Sequence, residues 1–178
     1  MKIDDARALI AGAVPRRAGV WADLGAGDGT FTQALARLLE PGSRIYAVDR
    51  DRAALAALEN SRLHGVAVIA VEADLTRGVM LPGVVPATLD GVLIANTLHF
   101  LSQPAALLTQ VKDWLRPGGT LVIIEYDGRR PSRWVPYPLP STALPELLTR
   151  AGFAAPTITA TRPSRYGGTL YVAVAVRA

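Results

Sequence analysis

The stretch Val20–Leu39, VWADLGAGDGTFTQALARLL, decides how this chain folds. A short apolar run ends at Asp23 and Leu24, and glycines follow at positions 25, 27 and 29. The apolar residues after them recur with the spacing of one helix face. A strand, a glycine loop and a helix in this order predict the first half of a βαβ unit. Because open α/β sheets bind ligands at the carboxyl ends of their strands, we expect a ligand at this loop.

The rest of the chain alternates between strand-like and helix-like segments. The predicted strands after Val20–Leu24 are Ser43–Asp49, Val66–Glu72, Leu89–Ala95, Thr120–Glu125, Thr157–Thr161 and Thr169–Val176. The predicted helices, besides the one after the glycine loop, are Ile3–Val14, Asp51–Asn60, Gln103–Arg116 and Leu144–Ala151. This alternation predicts an α/β fold, a doubly wound and mainly parallel sheet with helices on both faces. The last two strands have no helix between them, so we expect an antiparallel C-terminal hairpin.

Composition limits the classes of protein to which this chain can belong. Of its 178 residues 50% are hydrophobic and 19% charged, so we expect one folded domain over residues 1–178. The chain has no cysteine, which excludes disulfides and thiolate catalysis. It has only two histidines, so we expect no metal site.

Charge and hydropathy bear on partners and location. The net charge of +4 comes mostly from arginine, and no arginine-rich helix or aromatic RNA-binding signature accompanies it. We therefore do not expect nucleic acid as a partner. The apolar stretches are no longer than a strand and no signal peptide is evident, so we expect a cytoplasmic protein that does not bind a membrane. A homodimer is compatible with these features.

The spacing of the glycine loop separates two ligand classes. Dinucleotide-binding folds prefer G-x-G-x-x-G, whereas this loop has G-x-G-x-G with Asp23 two residues before it. The sequence DLGAGDG resembles the signature loop of class I S-adenosylmethionine (SAM)-dependent methyltransferases. Two later segments, LIANTLHFL at Leu93–Leu101 and LRPGGTLVIIE at Leu115–Glu125, resemble the branch of this family that contains many small-molecule and quinone-type methyltransferases.

This resemblance covers most of the chain, from Val20 to Val176, and implies both a fold and an activity. The implied fold is a Rossmann-like sheet of seven strands in which the last strand inserts antiparallel between the fifth and the sixth. The implied activity is in-line transfer of the methyl group of SAM to a small-molecule acceptor. The implied product of the cofactor is S-adenosylhomocysteine (SAH).

The end of the second strand supplies the first cofactor-binding candidates. Asp49 ends this strand, and a carboxylate there can accept hydrogen bonds from both ribose hydroxyls. The alternative is a surface acid at a strand end. Arg50 follows it, and its guanidinium can stack on adenine. Gly25 and Gly27 permit close approach of the backbone to the ligand.

The resemblance assigns further cofactor contacts to residues that follow the other strands. It implies that Asp74 meets the adenine amino group and that the backbone N–H of Leu75 meets the adenine ring. The alternative for Asp74 is a turn-capping role, which aspartate fills routinely. The resemblance also places Asp23 and the carbonyl group of Asn96 near the methionine ammonium group.

Methyl transfer from SAM requires little of the protein, because the sulfonium already activates the methyl group. Alignment of donor and acceptor can supply roughly 7–11 kcal/mol of the barrier. No fixed catalytic residue is therefore compulsory. His99 is the best candidate for a general base, because histidine is the residue type that most often transfers protons in enzymes at neutral pH. The alternative is a packing residue between Leu98 and Phe100, and Glu125 and Tyr126 are further candidates for the catalytic role.

The segment Asp127–Pro140, DGRRPSRWVPYPLP, is expected to be an irregular loop on the acceptor side of the site. It leaves the predicted fifth strand at the same edge as the glycine loop. Its arginines lie among aromatic residues, Trp134 and Tyr137, which suits a flat or anionic acceptor. The alternative is a solvated connecting loop. Because residues 1–18 contain only a short helix, they leave more of the acceptor site to this loop or to a second subunit.

Two other functions stay open at this point. An NAD-linked oxidoreductase would also use Asp49 for a ribose, although the glycine spacing disfavours it and no Tyr-x-x-x-Lys pair exists in the chain. A catalytically idle SAM-binding or partner module is the second alternative, because no lid segment is evident.

Overall fold

A computed structural model of the chain contains one sheet of eight strands with helices packed on it. The structure describes residues 1–59, 61–164 and 166–178. Within these ranges the strands are β1 (Val20–Leu24), β2 (Arg44–Asp49), β3 (Arg62–Leu63), β4 (Val66–Glu72), β5 (Leu89–Ala95), β6 (Leu115–Asp127), β7 (Thr157–Pro163) and β8 (Thr169–Val176). The α-helices are α1 (Ile3–Ile10), α2 (Thr30–Ala36), α3 (Arg52–Leu55), α4 (Ala105–Trp114) and α5 (Leu144–Arg150).

The strand order, β3-β4-β2-β1-β5-β6-β8-β7, confirms the predicted topology. Strands β4, β2, β1, β5 and β6 are parallel, while β8 pairs antiparallel with both β6 and β7. The last strand therefore lies between the two strands that precede it in sequence, as the family resemblance implies. Strands β2, β3 and β4 lie on one side of β1, and β5 continues the sheet on its other side. The loops that follow β1 and β5 therefore diverge, which leaves room for a ligand between them.

One of the eight strands, β3, was not predicted. Arg62–Leu63 pairs antiparallel with the start of β4. The turn between them contains His64 and Gly65, which both have positive φ angles, 52° and 82°. Positive φ at both central residues is typical of the tight turns that close hairpins. A strand of two residues carries no periodic pattern, which explains why the sequence did not indicate it.

Helices cover both faces of the sheet, as predicted. Successive residues of a strand point to opposite faces, so Val92 and Leu93 of β5 belong to different hydrophobic clusters. Val92 packs in the cluster that contains α4 and α5, whereas Leu93 packs in the cluster that contains α1 and α2. Leu55 of α3 packs with Ala47 of β2 in a third, smaller cluster.

Several element bounds differ from the prediction. Helix α1 ends at Ile10 rather than Val14, and α3 covers only Arg52–Leu55 of the predicted Asp51–Asn60. The carboxylate of Asp51 accepts from the N–H groups of the first turn of α3, whereas Asn60 lies outside the described residues. Strand β6 begins at Leu115, directly after α4, because Leu115 pairs with Leu89 across a register shift.

A substitution at Gly91 of β5 tests how closely this strand packs against the side chain of Trp21 in β1. A Cβ atom on Gly91 would lie 2.4 Å from the ring of Trp21, which is 1% exposed. Overpacking of a core costs roughly 1–3 kcal/mol. We expect Gly91→Ala to lower the free energy of unfolding by about that amount, as measured by urea denaturation.

The matched control is Gly12→Ala. A Cβ atom on Gly12 meets no atom of the described residues within 4 Å. This variant should therefore unfold at the urea concentration of the wild type or slightly above it. Equal losses of stability in the two variants would contradict the packing argument.

Candidate functional site

A cleft of about 350 Å³ lies at the carboxyl edge of the parallel strands. Its walls come from the glycine loop and from the residues that follow β2, β4 and β5. Six of the eight predicted cofactor residues line it: Gly25, Asp49, Arg50, Asp74, Leu75 and Asn96. The sequence did not indicate the remaining lining residues, which are Ala73, Thr76, Thr97, Phe100 and Leu101.

The glycine loop presents bare backbone to this edge of the sheet. Gly25 has a φ of 82°, and a Cβ atom there would lie 2.1 Å from the Oγ1 atom of Thr97. The loop backbone thus lies directly against the segment after β5, held by a 2.8 Å hydrogen bond from Gly25 N–H to the Val48 carbonyl. An added Cβ at Gly27 would meet no described atom within 4 Å, so this residue faces open space.

Asp49 connects the glycine loop to β2. Its Oδ2 atom accepts from the N–H of Gly27 at 2.8 Å, and its Oδ1 atom accepts from the N–H of Asp51 at 2.9 Å. A carboxylate has about four lone-pair sites, so these bonds leave capacity for two more donors. Asp49 can therefore shape the loop and still accept hydrogen bonds from a ligand.

Asp74 forms a local turn at the end of β4. Its Oδ1 atom accepts from the hydroxyl of Thr76 at 2.7 Å and from the N–H of Thr76 at 2.9 Å. The Thr76 hydroxyl and N–H hold the pKa of Asp74 below its ordinary value. The turn-capping role of Asp74 is thus realised by Oδ1. The other oxygen, Oδ2, lies 3.6 Å from Nε of Arg77.

Two buried oxygen atoms beside the loop lack partners in the described part of the chain. Asp23 is fully buried, and its Oδ2 atom accepts from the hydroxyl of Thr32 at 2.7 Å, while Oδ1 accepts no hydrogen bond. The Oδ1 atom of Asn96 is likewise buried and unpaired, and Asn96 has the unusual φ of 53°. Buried acceptors are nearly always satisfied, so a ligand that brings N–H groups fits this place.

Burial also changes the ionisation of Asp23. Desolvation raises its pKa from 3.8 to about 7, the charge of Asp49 acts in the same direction, and the Thr32 hydrogen bond opposes both. Asp23 does not line the cleft, because the loop covers it. That it meets the cofactor ammonium group stays a prediction.

His99 forms a buried pair with Glu125. The Nδ1 atom of His99 lies 2.7 Å from Oε2 of Glu125, and the backbone N–H of His99 donates to Oε1 at 3.2 Å. The two side chains are 3% and 1% exposed. Because Nδ1 faces a carboxylate, we assign the proton to Nδ1, which leaves the lone pair on Nε2. Phe100, whose ring centroid lies 4.4 Å from the imidazole, lines the cleft, whereas His99 and Glu125 do not.

The predicted acceptor-side loop is anchored at the same edge. Asp127 belongs to β6, so the irregular segment is residues 128–140. The N–H of Tyr137 donates to the carbonyl of His99 at 2.9 Å, and the hydroxyl of Tyr171 donates to the carbonyl of Leu139 at 2.8 Å. Val135 is buried. The loop is therefore fixed to the segment that carries His99.

A second cavity, of about 470 Å³, adjoins the cleft and shares Leu75, Thr76 and Leu101 with it. It extends between the loop after β4 and helix α4. There the side chain of Gln110 donates to the carbonyl of Val79 at 2.8 Å and accepts from its N–H at 3.2 Å. The two cavities therefore meet at these three shared residues.

Residues 22–121 match the family model described as a methyltransferase domain, which is more than half of the chain. This chain belongs to the methyltransferase-domain family. The match includes the glycine loop, both strand-end aspartates and His99. The family predicted from the sequence is confirmed, and the assignment does not favour the NAD-linked alternative.

Solved structures share the fold of this methyltransferase domain. A SAM-dependent methyltransferase from Aquifex aeolicus is 18% identical, with a TM-score of 0.72, over 96% of this chain and 89% of that one. The 1,6-didemethyltoxoflavin-N1-methyltransferase of Burkholderia thailandensis is 25% identical, with a TM-score of 0.72, over 98% of this chain and 77% of that one. Its structure contains 1,6-didemethyltoxoflavin and SAH.

The curated relatives are much longer than this methyltransferase domain. Fumosorinone synthetase of Cordyceps fumosorosea is 34% identical over 112 residues, which are 60% of this chain and 3% of that protein. The chain thus spans a small part of the length of the curated relatives that it matches. Among the described residues, none of the helices combines the length and the apolar character needed to cross a membrane.

The buried carboxyl of Asp23 makes stability depend on pH. Between pH 3.8 and about 7 the unfolded chain ionises Asp23 while the folded chain keeps it protonated, so stability falls as the pH rises through this window. Asp23→Asn removes this titration. We compare the free energy of unfolding of the variant with that of the wild type. We expect the difference between them to shift in favour of the variant by on the order of 4 kcal/mol when the pH is raised from 4 to 8.

Urea denaturation at the two pH values measures this gain. Asp28→Asn, which changes an exposed acid in the same loop, serves as the control and should show no such gain. The interpretation of Asp23 would be wrong if the difference between Asp23→Asn and wild type were the same at both pH values.

Proposed function

We propose that this protein transfers the methyl group of SAM to a small-molecule acceptor. One observation carries the proposal: the glycine loop, the acids after β2 and β4, and Asn96 after β5 converge on a single cleft. The family assignment supports this activity. The alternative of an idle SAM-binding module is less well supported, because it gives no role to the buried pair of His99 and Glu125.

The predicted cofactor residues suit the separate parts of SAM. Asp49 would accept from the ribose hydroxyls, Asp74 and Leu75 would meet the adenine, and Arg50 would stack on its ring. The unpaired oxygens of Asp23 and Asn96 would accept from the ammonium group, whose positive charge would favour ionised Asp23. When bound, SAM supplies a methyl group that is already activated by its sulfonium.

The acceptor is proposed to be a small molecule bound between His99 and the loop of residues 128–140. The Burkholderia enzyme, named for methylating 1,6-didemethyltoxoflavin at N1, supports a small acceptor for this fold. The proposal is also supported by the anchoring of Tyr137 to His99 and by Trp134, which is 65% exposed. Exposed aromatic faces suit a flat acceptor.

We propose that His99 is the general base that takes a proton from the acceptor. Glu125 would hold the imidazole in the tautomer with the proton on Nδ1 and stabilise the imidazolium once Nε2 has accepted the second proton. Proton abstraction of this kind contributes about 10²–10⁴-fold to the rate. The dry surroundings of the pair, with Glu125 1% exposed, support this role, since desolvated charge pairs interact strongly.

Residues 1–178 are proposed to act as one domain. The sheet runs without interruption from β3 to β7, and α1 is tied across it by the ion pair of Asp5 with Arg162 of β7, 3.8 Å apart. The cytoplasmic location, the absence of nucleic acid as a partner and the homodimer stay predictions.

Calorimetry with SAM, SAH and NAD tests the cofactor. We expect binding of SAM and SAH but not of NAD, and a loss of affinity in Asp49→Ala of about 10- to 100-fold. One hydrogen bond to a charged group contributes about 1.5–3 kcal/mol, and the loss should stay below that of two such bonds because water can enter in place of the carboxylate. Glu72→Ala is the matched control, since Glu72 pairs with Asp49 in the register of β2 and β4 and is exposed. Binding of NAD alone would overturn the proposed function.

The role of His99 is tested on an acceptor found by screening phenols, quinones, amines and small acids with labelled SAM. His99→Ala removes the partner of Glu125 Oε2, whereas the backbone N–H of residue 99 can still donate to Oε1. We therefore expect a loss of stability of about 1–3 kcal/mol as well as a loss of turnover. Glu125→Gln is more informative because it preserves the shape of the pair. We expect it to lower kcat at least about tenfold while SAH affinity barely changes. An unchanged kcat in folded Glu125→Gln would mean that the pair only supports packing.

A further inference from the structure

Arg129 is held in place at the edge of the proposed acceptor site. Its Nη1 atom donates to the backbone carbonyls of Tyr166 and, at 3.4 Å, of Gly167, in the turn between β7 and β8. Its guanidinium lies over the ring of Tyr126, with Cζ 5.5 Å from the ring centroid. The side chain is half-buried. These contacts fix a side chain that is otherwise among the most flexible in proteins.

The same tyrosine ring is a neighbour of the proposed base. The centroids of the Tyr126 and His99 rings are 6.1 Å apart. Tyr126 follows Glu125 directly in β6, so the strand that positions His99 also carries the platform on which Arg129 rests. The imidazole of His99 and the guanidinium of Arg129 are therefore both neighbours of the same tyrosine ring.

Arg129 has no carboxylate within ion-pair distance in the ranges that the structure describes. Other arginines do: Arg37, Arg116 and Arg150 each contact an acid on a neighbouring segment or turn. The two acids closest to Arg129 in sequence are already engaged. Glu125 accepts from His99, and Asp127 accepts from the N–H and hydroxyl of Ser141 at 2.7 and 2.8 Å.

The donors that remain on Arg129 define a ligand geometry. A guanidinium has five N–H groups in a planar fork, and both carbonyl contacts use Nη1. The Nε and Nη2 groups lie side by side and match the two oxygens of a carboxylate. An ordered, half-buried cation without a counter-charge is suited to an anionic ligand, since partly desolvated charges are stabilised by pairing.

We propose that Arg129 is a specificity-determining residue that binds a carboxylate of the methyl acceptor, so that the acceptors of this enzyme are aromatic acids. This inference rests on the proposed function. The Tyr126 and Phe100 rings would flank the aromatic body of the acceptor, and His99 would face the group that loses a proton. Arg129 would thereby orient the acceptor rather than take part in the chemistry.

Binding measurements on the protein saturated with SAH test this assignment. The probes are benzoate, salicylate, 4-hydroxybenzoate, cinnamate and 2-naphthoate, each compared with its methyl ester by calorimetry or ligand-observed NMR. We expect the acids to bind wild type about tenfold or more tightly than their esters, as for one charge-assisted bidentate pair. Arg129→Met should abolish the preference for the acid. Arg129→Lys should keep part of it, because lysine retains the charge but not the fork.

Arg130→Met is the matched control, because Arg130 is the exposed neighbour of Arg129. It should keep the preference for acids, whereas an equal loss in both variants would indicate only general attraction of anions and overturn the assignment. Equal binding of acids and esters by wild type, no binding of any probe, or an acid preference that survives in Arg129→Met would also overturn it. If Arg129→Met does not fold, the wild-type comparison and Arg129→Lys still decide.

The binding of SAH separates the two proposals. Failure of the wild type to bind SAH would remove the proposed function itself. Normal SAH binding without a preference for acids would remove only the role of Arg129.

Discussion

The hydrogen bond from the Gly27 N–H to the Asp49 carboxylate determines the shape of the site. It joins the loop after β1 to the end of β2 with a length of 2.8 Å, so the bare backbone of the loop is held beside an acid. Gly25 completes the arrangement, because its lack of a Cβ atom lets the loop lie against Thr97 after β5. Three neighbouring strands are thus connected at one edge by one glycine loop. The cleft exists because this loop is flat and fixed.

This arrangement places polar groups where they do not favour folding. Asp23 is buried with an elevated pKa, and Asn96 has a positive φ with its Oδ1 atom unpaired in the described part of the chain. Neither feature benefits the empty protein, since an unpaired buried acceptor costs about 1–3 kcal/mol. Both are explained if a cationic ligand completes them. Under the proposed function, binding of SAM would stabilise the site, as is common for functional residues held in unfavourable environments.

The residues proposed to bind the cofactor are easier to predict from the sequence than those proposed to meet the acceptor, for a physical reason. The glycine loop and the acids Asp49 and Asp74 each lie at the end of a strand, so a local pattern places them on one edge. The pairing of His99 with Glu125 depends instead on the register of β5 and β6, and their separation of 26 residues leaves no local signal. The strand Arg62–Leu63 was not predicted because a pairing of two residues leaves no periodic pattern in the sequence. The start of β6 at Leu115 was not predicted because it depends on a register shift, which leaves no such pattern either.

The two halves also differ in how substitutions can act on them. The loop of residues 128–140 is held through its own backbone atoms. The N–H of Tyr137 donates to the carbonyl of His99, and the carbonyl of Leu139 accepts from the hydroxyl of Tyr171. Neither bond depends on the identity of the exposed side chains of the loop. Arg133 stacks on the Trp134 ring at 4.4 Å without contributing to those anchors. Exposed residues of this loop can therefore change with little effect on the sheet, whereas a change at Gly25 or Asp49 alters the loop that shapes the cleft. Under the proposed function, the sheet and the glycine loop would hold the same cofactor whichever acceptor is used. The side chains around His99, rather than the fold, would then select the acceptor.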